Sequence, residues 1–291
     1  MREACGVSER RACEVLGQPR ATQRYEVRTR EEERRLVARM HELVREHPRY
    51  GYRRMWALLR REGWRVNRKR VHRLWRKEGL KAPQQQRKKR NLGSGKNVCS
   101  RHRAEHPDHV WAWDFIHDRT ADGRALKCLS IVDEHTRECV ALVVDRSLTS
   151  EAVLDVLAEL FRTRGVPRHI RSDNGPEFIA TAIREWLGRV GVATLYVEPG
   201  SPWENGFAES FHSRLRDELW AREEFGSLAE AQVVAARWRR EYNHHRPHSS
   251  LGYLTPAEFG AGCAASARAA PALQQHSPPT VVLPISQPAL S

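Results

Sequence analysis

Three acidic residues occupy positions at which a carboxylate could take part in chemistry. Asp114, in WAWDFIHD, ends a predicted strand with apolar neighbours, where a carboxylate is costly unless it is paired or bound to a metal. Asp173, in RSDNGPEF, directly follows another predicted strand, and ligands bind at strand ends in such sheets. Glu209, in SPWENGFAESFHSRLR, is on a predicted helix. The three are therefore candidates for a site that handles an anionic or metal-bound substrate.

The helix that carries Glu209 has two different faces at about 100° per residue. The apolar face consists of Phe207, Phe211, Leu215 and Leu219. The opposite face collects Asn205, Glu209, His212 and Arg216. Those polar groups suit an anionic, metal-bound substrate, although a solvated surface would show the same pattern. Glu204 is a second candidate acid, but it lies on the apolar side of this helix or at its N-terminus, where the helix dipole favours a carboxylate.

These residues belong to a predicted α/β domain that spans residues 105–263. Three β-like runs come first, at residues 110–116, 125–132 and 138–144. Helices and strands then alternate, with helices at 150–164, 176–190, 204–222 and 228–243 and strands at 169–172 and 193–197. Three consecutive strands followed by alternation predict a mixed sheet with helices on both faces.

The N-terminal third predicts a small helical domain at residues 31–80. Its helices are expected at 31–46, 52–62 and 68–78, with Asn67 as the N-cap of the last. The last two resemble a helix-turn-helix, whose second helix would read DNA. That helix would expose Arg68, Lys69, His72, Arg73 and Arg76. A basic helical bundle with non-specific affinity for DNA is the alternative.

Charge is distributed unevenly along the 291 residues. Residues 1–100 contain 29 Lys and Arg against 11 Asp and Glu, whereas the rest contains 21 against 25. This asymmetry indicates a nucleic-acid-binding end joined to a nearly neutral body. Residues 1–30 form a basic segment with one short helix around residues 8–16, residues 81–104 a basic linker, and residues 264–291 a tail expected to be disordered.

Cysteine usage and hydropathy exclude several classes of protein. The six cysteines form no CxxC pair and show no zinc-binding spacing, and the two at 128 and 139 are interpreted as small core residues. No apolar run approaches the roughly 20 residues that a membrane helix needs. The expected location is therefore the cytoplasm, in association with the nucleoid.

The order and spacing of four motifs resemble those of a known family. Asp114, Asp173 and Glu209, with 35 residues between the last two, resemble the D,D(35)E pattern of retroviral integrases and many bacterial transposases. WAWDF, SDNGPEF, SPWENGFAESF and YNHHRPHSSLGYLTPAEF resemble the insertion-sequence-three family of transposases, specifically the product of the second reading frame. The resemblance covers roughly residues 5–260. Arg216 matches the position at which these enzymes carry Lys or Arg for contact with the DNA end.

The resemblance implies an RNase H-like fold in which the three carboxylates converge as catalytic metal ligands. It also implies metal-dependent cleavage and transfer of DNA strands at the ends of an insertion element. Two Mg²⁺ or Mn²⁺ ions, roughly 3.5–4 Å apart, would need such bridging oxygen ligands. The partners would be the terminal inverted repeats, target DNA, further copies of the chain and an upstream-frame DNA-binding product.

Other functions compete with strand transfer. A nuclease of the same fold would cut DNA without rejoining it, and a DNA-binding regulator would use the carboxylates only structurally. A tyrosine recombinase is suggested by YNHHRPH, but the acidic triad explains more residues. We interpret that motif as a packing element with contacts to the DNA backbone.

Overall fold

The structure is a computed structural model that describes residues 7–23, 31–82, 103–172, 181–196 and 206–269. The chain forms two compact units, residues 1–88 and 89–291. The division falls within the linker expected at residues 81–104. Each unit has an apolar core of its own.

The N-terminal unit consists of helices whose ends follow from local sequence. They are α1 (Glu9–Val15), α2 (Arg20–Gln23), α3 (Glu31–Glu46), α4 (Tyr52–Arg61) and α5 (Arg68–Lys77). After α4 the chain turns at Gly63, whose φ of 88° is one that glycine adopts readily. Asn67 caps α5, because its side chain accepts a hydrogen bond from the backbone N of Arg70 at 2.8 Å. The predicted pair of helices joined by a short turn is confirmed.

The apolar faces of α3, α4 and α5 pack together into one core. Its fully buried members include Leu36, Met40, Leu43, Met55, Leu59, Val71 and Leu74. These are the positions that recur at helical spacing along the sequence. The Trp56 indole also donates to the carbonyl of Val66 at 3.0 Å and so ties α4 to the turn before α5.

The C-terminal unit is built on a five-stranded mixed sheet. The strands are β1 (Val110–Arg119), β2 (Ala125–Asp133), β3 (Cys139–Asp145), β4 (His169–Ser172) and β5 (Ala193–Tyr196). They lie in the order β3-β2-β1-β4-β5, with the first three antiparallel and β1, β4 and β5 parallel. The mixed sheet expected from the sequence is confirmed.

Helices cover both faces of this sheet. One face packs against α6 (Ser150–Arg164) and α7 (Thr181–Arg189). The other packs against α8 (Gly206–Leu215), a π-helical turn (Arg216–Trp220) and α9 (Leu228–His244). Cys128 and Cys139 are buried in this second layer, as predicted, and burial raises the pKa of the Cys128 thiol to about 12.

The structure departs from the predicted elements in several places, and one is the short helix α2, because a single helix was expected within residues 1–30. Strand β1 continues to Arg119, so Asp114 lies in its middle and not at its end. The helix expected at residues 204–222 changes to π-helical geometry at Arg216. A further helix, α10 (Pro256–Ala269), was not predicted, and it includes the first six residues of the segment expected to be disordered.

A capping box accounts for the start of α10. The Thr255 hydroxyl accepts from the backbone N of Glu258 at 3.2 Å, and the Glu258 carboxylate accepts from the backbone N of Thr255 at 2.8 Å. Pro256 then occupies the first helical position, where it is favoured. Among the described residues, no helix is long and apolar enough to cross a membrane.

Candidate active site and nucleic-acid interface

Asp114 lies in the centre of the sheet, opposite Ser130 of β2. The parallel pairing of β1 with β4 ends two residues earlier, at Ala112, so Asp114 lies beyond that pairing. Its side chain is 19% exposed, and its Oδ1 accepts a hydrogen bond from the backbone N of Phe115 at 2.7 Å. The carboxylate is therefore shielded by the sheet but still reaches solvent.

His212 of α8 contacts this carboxylate directly. Its Nδ1 lies 3.2 Å from Asp114 Oδ2, and its Nε2 lies 2.8 Å from the Ser130 hydroxyl. The sequence places His212 on a polar face turned toward DNA, whereas the structure leaves only 7% of it exposed. Because α8 lies on the sheet with this side chain inward, both ring nitrogens are engaged within the protein. The structure therefore does not support the expected DNA contact.

Glu209 precedes His212 by one turn of α8. Residues three apart on a helix have Cβ atoms about 5–6 Å apart, so the contact between His212 and Asp114 brings the Glu209 turn close to β1. Glu209 itself is exposed, as is Arg216 at the start of the π-helical turn. Of the predicted apolar face, Phe211, Leu215 and Leu219 are buried. Phe207 is partly exposed and lies beneath the guanidinium of Arg137, with 3.5 Å between the Cζ atom and the ring centre.

Three residues singled out from the sequence, Asp173, Glu204 and Asn205, lie outside the described residues. Within the described part of the chain, no three His, Cys, Asp or Glu side chains form a metal-binding group. Two of the three candidate carboxylates, Asp114 and Glu209, are described, and neither pairs with a Lys or Arg there. Carboxylate oxygens that no Lys or Arg already neutralises suit a hard divalent ion, so the residues present fit such an ion.

The surface of α5 carries the five residues predicted to contact DNA. All are exposed, namely Arg68, Lys69, His72, Arg73 and Arg76. Two of them have intramolecular contacts: the His72 ring lies 4.3 Å from that of Tyr52, and Arg73 lies 3.3 Å from a carboxylate oxygen of Glu33. The helix therefore presents a basic surface to solvent. Contacts with α3 and α4 hold two of its side chains, Arg73 and His72, in place.

Comparison with known proteins assigns both units. Residues 104–202 and 190–256 match two integrase core domain families, and residues 31–89 match an HTH-like domain family. A 31.7 kDa protein of insertion element IS407 from Burkholderia multivorans is 40% identical over 94% of this chain and 98% of its own length. The Escherichia coli transposase InsD of insertion element IS2 is 30% identical over 77% of each chain. The chain belongs to the insertion-element transposases.

The transposase is thus an enzyme of the polynucleotidyl transferase type, with an integrase core and an HTH-like domain. A protein of insertion element IS476 from Xanthomonas euvesicatoria is also 40% identical, over 90% of this chain and 75% of its own length. Among solved structures, the HTLV-2 integrase catalytic core matches 54% of the transposase at 17% identity with a TM-score of 0.43. That likeness is too weak to add to the assignment.

The C-terminal motif YNHHRPH of the transposase holds the catalytic core together. Arg246 is 1% exposed and forms two hydrogen bonds to Glu218 of the π-helical turn, at 2.8 and 2.5 Å. The Asn243 amide accepts from the backbone N of Cys139 and donates to its carbonyl. The sequence favoured a packing role together with contacts to the DNA backbone. The structure confirms the packing role, and the DNA contacts stay a prediction.

Tyr242 of the same motif is unsuited to act as a nucleophile. It is 3% exposed, its ring packs edge-on against Phe211 at 5.1 Å, and burial raises its pKa to about 12. A tyrosine recombinase needs a tyrosine that reaches the phosphodiester. The structure therefore gives no support to that alternative. Sequence reasoning did not single out Glu218, the partner of Arg246, because their contact links residues 28 apart in the chain.

Proposed function

We propose that the transposase cleaves and transfers DNA strands with Asp114, Asp173 and Glu209 as metal-binding carboxylates. The observation that carries this proposal is the contact between Asp114 and His212, which brings the Glu209 turn of α8 to the centre of the sheet. Asp173 is included because of its sequence spacing and because its covalent neighbour Ser172 ends β4, the strand beside β1. The three would hold two Mg²⁺ or Mn²⁺ ions.

Bound divalent ions would supply activation of the attacking oxygen, from water or a DNA 3′-hydroxyl, and stabilisation of the leaving 3′-oxygen. The residues of the chain would orient the DNA around these ions and neutralise its phosphate charge. Asp114 is held in the rigid sheet, and Glu209 approaches from the exposed side of α8. The exposed guanidinium of Arg216 would contact a phosphate at the DNA end, and Asn205 is assigned the same role from the sequence. No covalent intermediate with the protein is needed.

We assign the chain to the insertion-sequence-three family, as the product of the second reading frame, on the four motifs described above. Its DNA substrates would be the terminal inverted repeats of the element and a target site in the bacterial nucleoid, in the cytoplasm. It would act as a homo-oligomer on DNA, joined to or assisted by an upstream-frame DNA-binding product. Coexpression of the two frames followed by size analysis on end DNA tests this assembly.

Incubating the transposase with element-end DNA and a target duplex in Mg²⁺ tests the proposed reaction. We expect strand joining that depends on Mg²⁺ or Mn²⁺ and leaves no protein attached to DNA after denaturation. Cleaved but unjoined ends in every condition would indicate a nuclease instead. A phosphotyrosyl adduct would refute the triad, and DNA binding without any cleavage would indicate a regulator.

We propose that α5 is the recognition helix for the element ends. Its first turn carries Arg68 and Lys69, and the first turn of such a helix meets base edges. His72, Arg73 and Arg76 continue the basic surface toward the DNA backbone. The net positive charge of residues 1–100 adds sequence-independent attraction.

Replacing both Lys69 and Arg76 with Ala should weaken binding to end DNA, since both are exposed and have no ion pair within the described residues. Each lost phosphate contact should reduce the slope of log affinity against log salt by about one. Fluorescence anisotropy across a salt series measures this. Arg35→Ala, which removes an exposed arginine from α3, is the matched control and should have a smaller effect. Equal losses in both proteins would count against α5 as the binding surface.

A further inference from the structure

Asp114 is held on both of its carboxylate oxygens. The backbone N of Phe115 donates to Oδ1 at 2.7 Å, and the imidazole of His212 lies 3.2 Å from Oδ2. A carboxylate only accepts hydrogen bonds, so Nδ1 of His212 must carry the proton in this contact. The imidazole is the only contact to the carboxylate from another element that the described residues show.

The ring of His212 is itself fixed from the opposite side. Its Nε2 lies 2.8 Å from the hydroxyl of Ser130, and that hydroxyl lies 3.2 Å from the backbone carbonyl of Asp114. Ser130 is also the cross-strand partner of Asp114 in the antiparallel pair of β1 and β2. Two rigid strands therefore set the position of the imidazole, and the imidazole faces the carboxylate.

We propose that His212 is a positioning residue that fixes the orientation of the Asp114 carboxylate for its divalent cation. The proposal rests on the function proposed above. The terminal torsion of an aspartate side chain is broad, so the carboxylate would rotate without a partner on Oδ2. A carboxylate has about four lone-pair sites, so the contacts with Phe115 and His212 still leave sites for a metal.

Residues that orient a metal ligand have measurable effects on metal affinity and on activity. Removing a group that orients a metal ligand typically costs ten- to hundredfold in metal affinity or activity. His212 is only 7% exposed, and its distance to Asp114 gives it a contact that a residue serving only to fill the core would not need. A positioning role and a packing role predict different effects for different substitutions of His212.

Two substitutions of His212 separate positioning from packing. In His212→Asn the amide branches at the atom position of Nδ1 and can still donate to Asp114, although it no longer reaches Ser130. In His212→Gln the amide reaches the position of Nε2 and can bond to Ser130, but the contact with Asp114 is lost. Binding of Mn²⁺ to the full-length proteins, by titration calorimetry, and the Mg²⁺ dependence of end cleavage are the two measurements.

We expect His212→Gln to weaken Mn²⁺ binding about ten- to hundredfold, with a matching rise in the Mg²⁺ needed for cleavage. His212→Asn should lose markedly less. Ser213→Ala changes an exposed neighbour on α8 and should bind Mn²⁺ like the wild type. Equal losses in the Gln and Asn proteins, or no loss in the Gln protein, would overturn the positioning role.

Asp114→Asn distinguishes this proposal from the one on which it rests. If that variant keeps Mn²⁺ binding and cleavage, the triad itself is wrong. If it loses both while the His212 variants do not, only the positioning role is wrong. Should both His212 variants fail to fold, Ser130→Ala decides, because it removes one anchor of the ring: weaker Mn²⁺ binding supports positioning, and unchanged binding refutes it.

Discussion

Replacing Glu209 with Gln should abolish strand cleavage of element-end DNA. The substitution removes the charge of a proposed metal ligand at nearly constant shape. Metal ions supply several kcal/mol of transition-state stabilisation, and each ~1.4 kcal/mol changes the rate tenfold, so a loss of about a thousandfold or more is expected. Folding and DNA binding should be preserved, because the Glu209 side chain is exposed.

Glu204→Gln is the matched comparison for that experiment. Glu204 lies outside the described residues, and the helical periodicity of the sequence predicts a position off the polar face that carries Glu209, so this variant should retain substantial activity. Single-turnover cleavage of end DNA by both proteins, with melting temperature and DNA affinity measured alongside, is the test. Activity that survives in Glu209→Gln but disappears in Glu204→Gln would reverse the assignment.

Replacing Arg246 with Met should destabilise the catalytic core by about 3–5 kcal/mol, the usual cost of removing one partner from a buried ion pair. Arg246 and Glu218 are 2% and 11% exposed at their side chains and share two hydrogen bonds. The variant leaves the Glu218 charge buried without its main partner. For a unit of this size the melting temperature should fall by about 10 °C, as differential scanning calorimetry would show.

Two further variants serve as controls for the stability of Arg246→Met. Arg162→Met breaks a similar two-bond pair with Glu159, at 2.9 and 2.7 Å, but on the exposed surface of α6. It should leave the melting temperature almost unchanged, because exposed ion pairs contribute little. Adding Glu218→Gln to Arg246→Met should recover part of the loss, since no buried charge remains. Equal shifts for the Arg246 and Arg162 variants would show that burial is not what makes the Arg246 pair important.

Local sequence signals predicted much of the fold. Asn67 and Thr149 cap α5 and α6 through their side chains, and α6 and β4 have the predicted bounds. Such elements are set by interactions within a few residues, so they can be read from sequence. The same kind of signal is present before α10, where Thr255 and Glu258 form a capping box, although no helix was predicted there.

The environment of the candidate site was less predictable. A helical wheel gives the angular position of His212 relative to Glu209, but not what lies opposite each face. The sequence assigns His212 to the DNA-facing side because it is polar. Its partners in the structure are Asp114 and Ser130, which lie 98 and 82 residues earlier in the chain and come close to it only through the sheet. Asp114 was placed at a strand end because the run of apolar residues stops soon after it.

The sequence alone determined the α/β class of the C-terminal unit, the three spaced carboxylates and the basic helical N-terminal domain, while the transposase family came from the resemblance of its motifs and from the relatives that match the chain. Charge distribution, residue spacing and helical periodicity are properties of the chain that need no tertiary contacts to be read. The tertiary structure alone decided that His212 contacts Asp114, and that Arg246 pairs with Glu218. Those contacts depend on which elements the sheet brings together. Because a buried polar side chain is costly unless it is hydrogen-bonded or paired, the polar residues that the fold buries contact each other within the core.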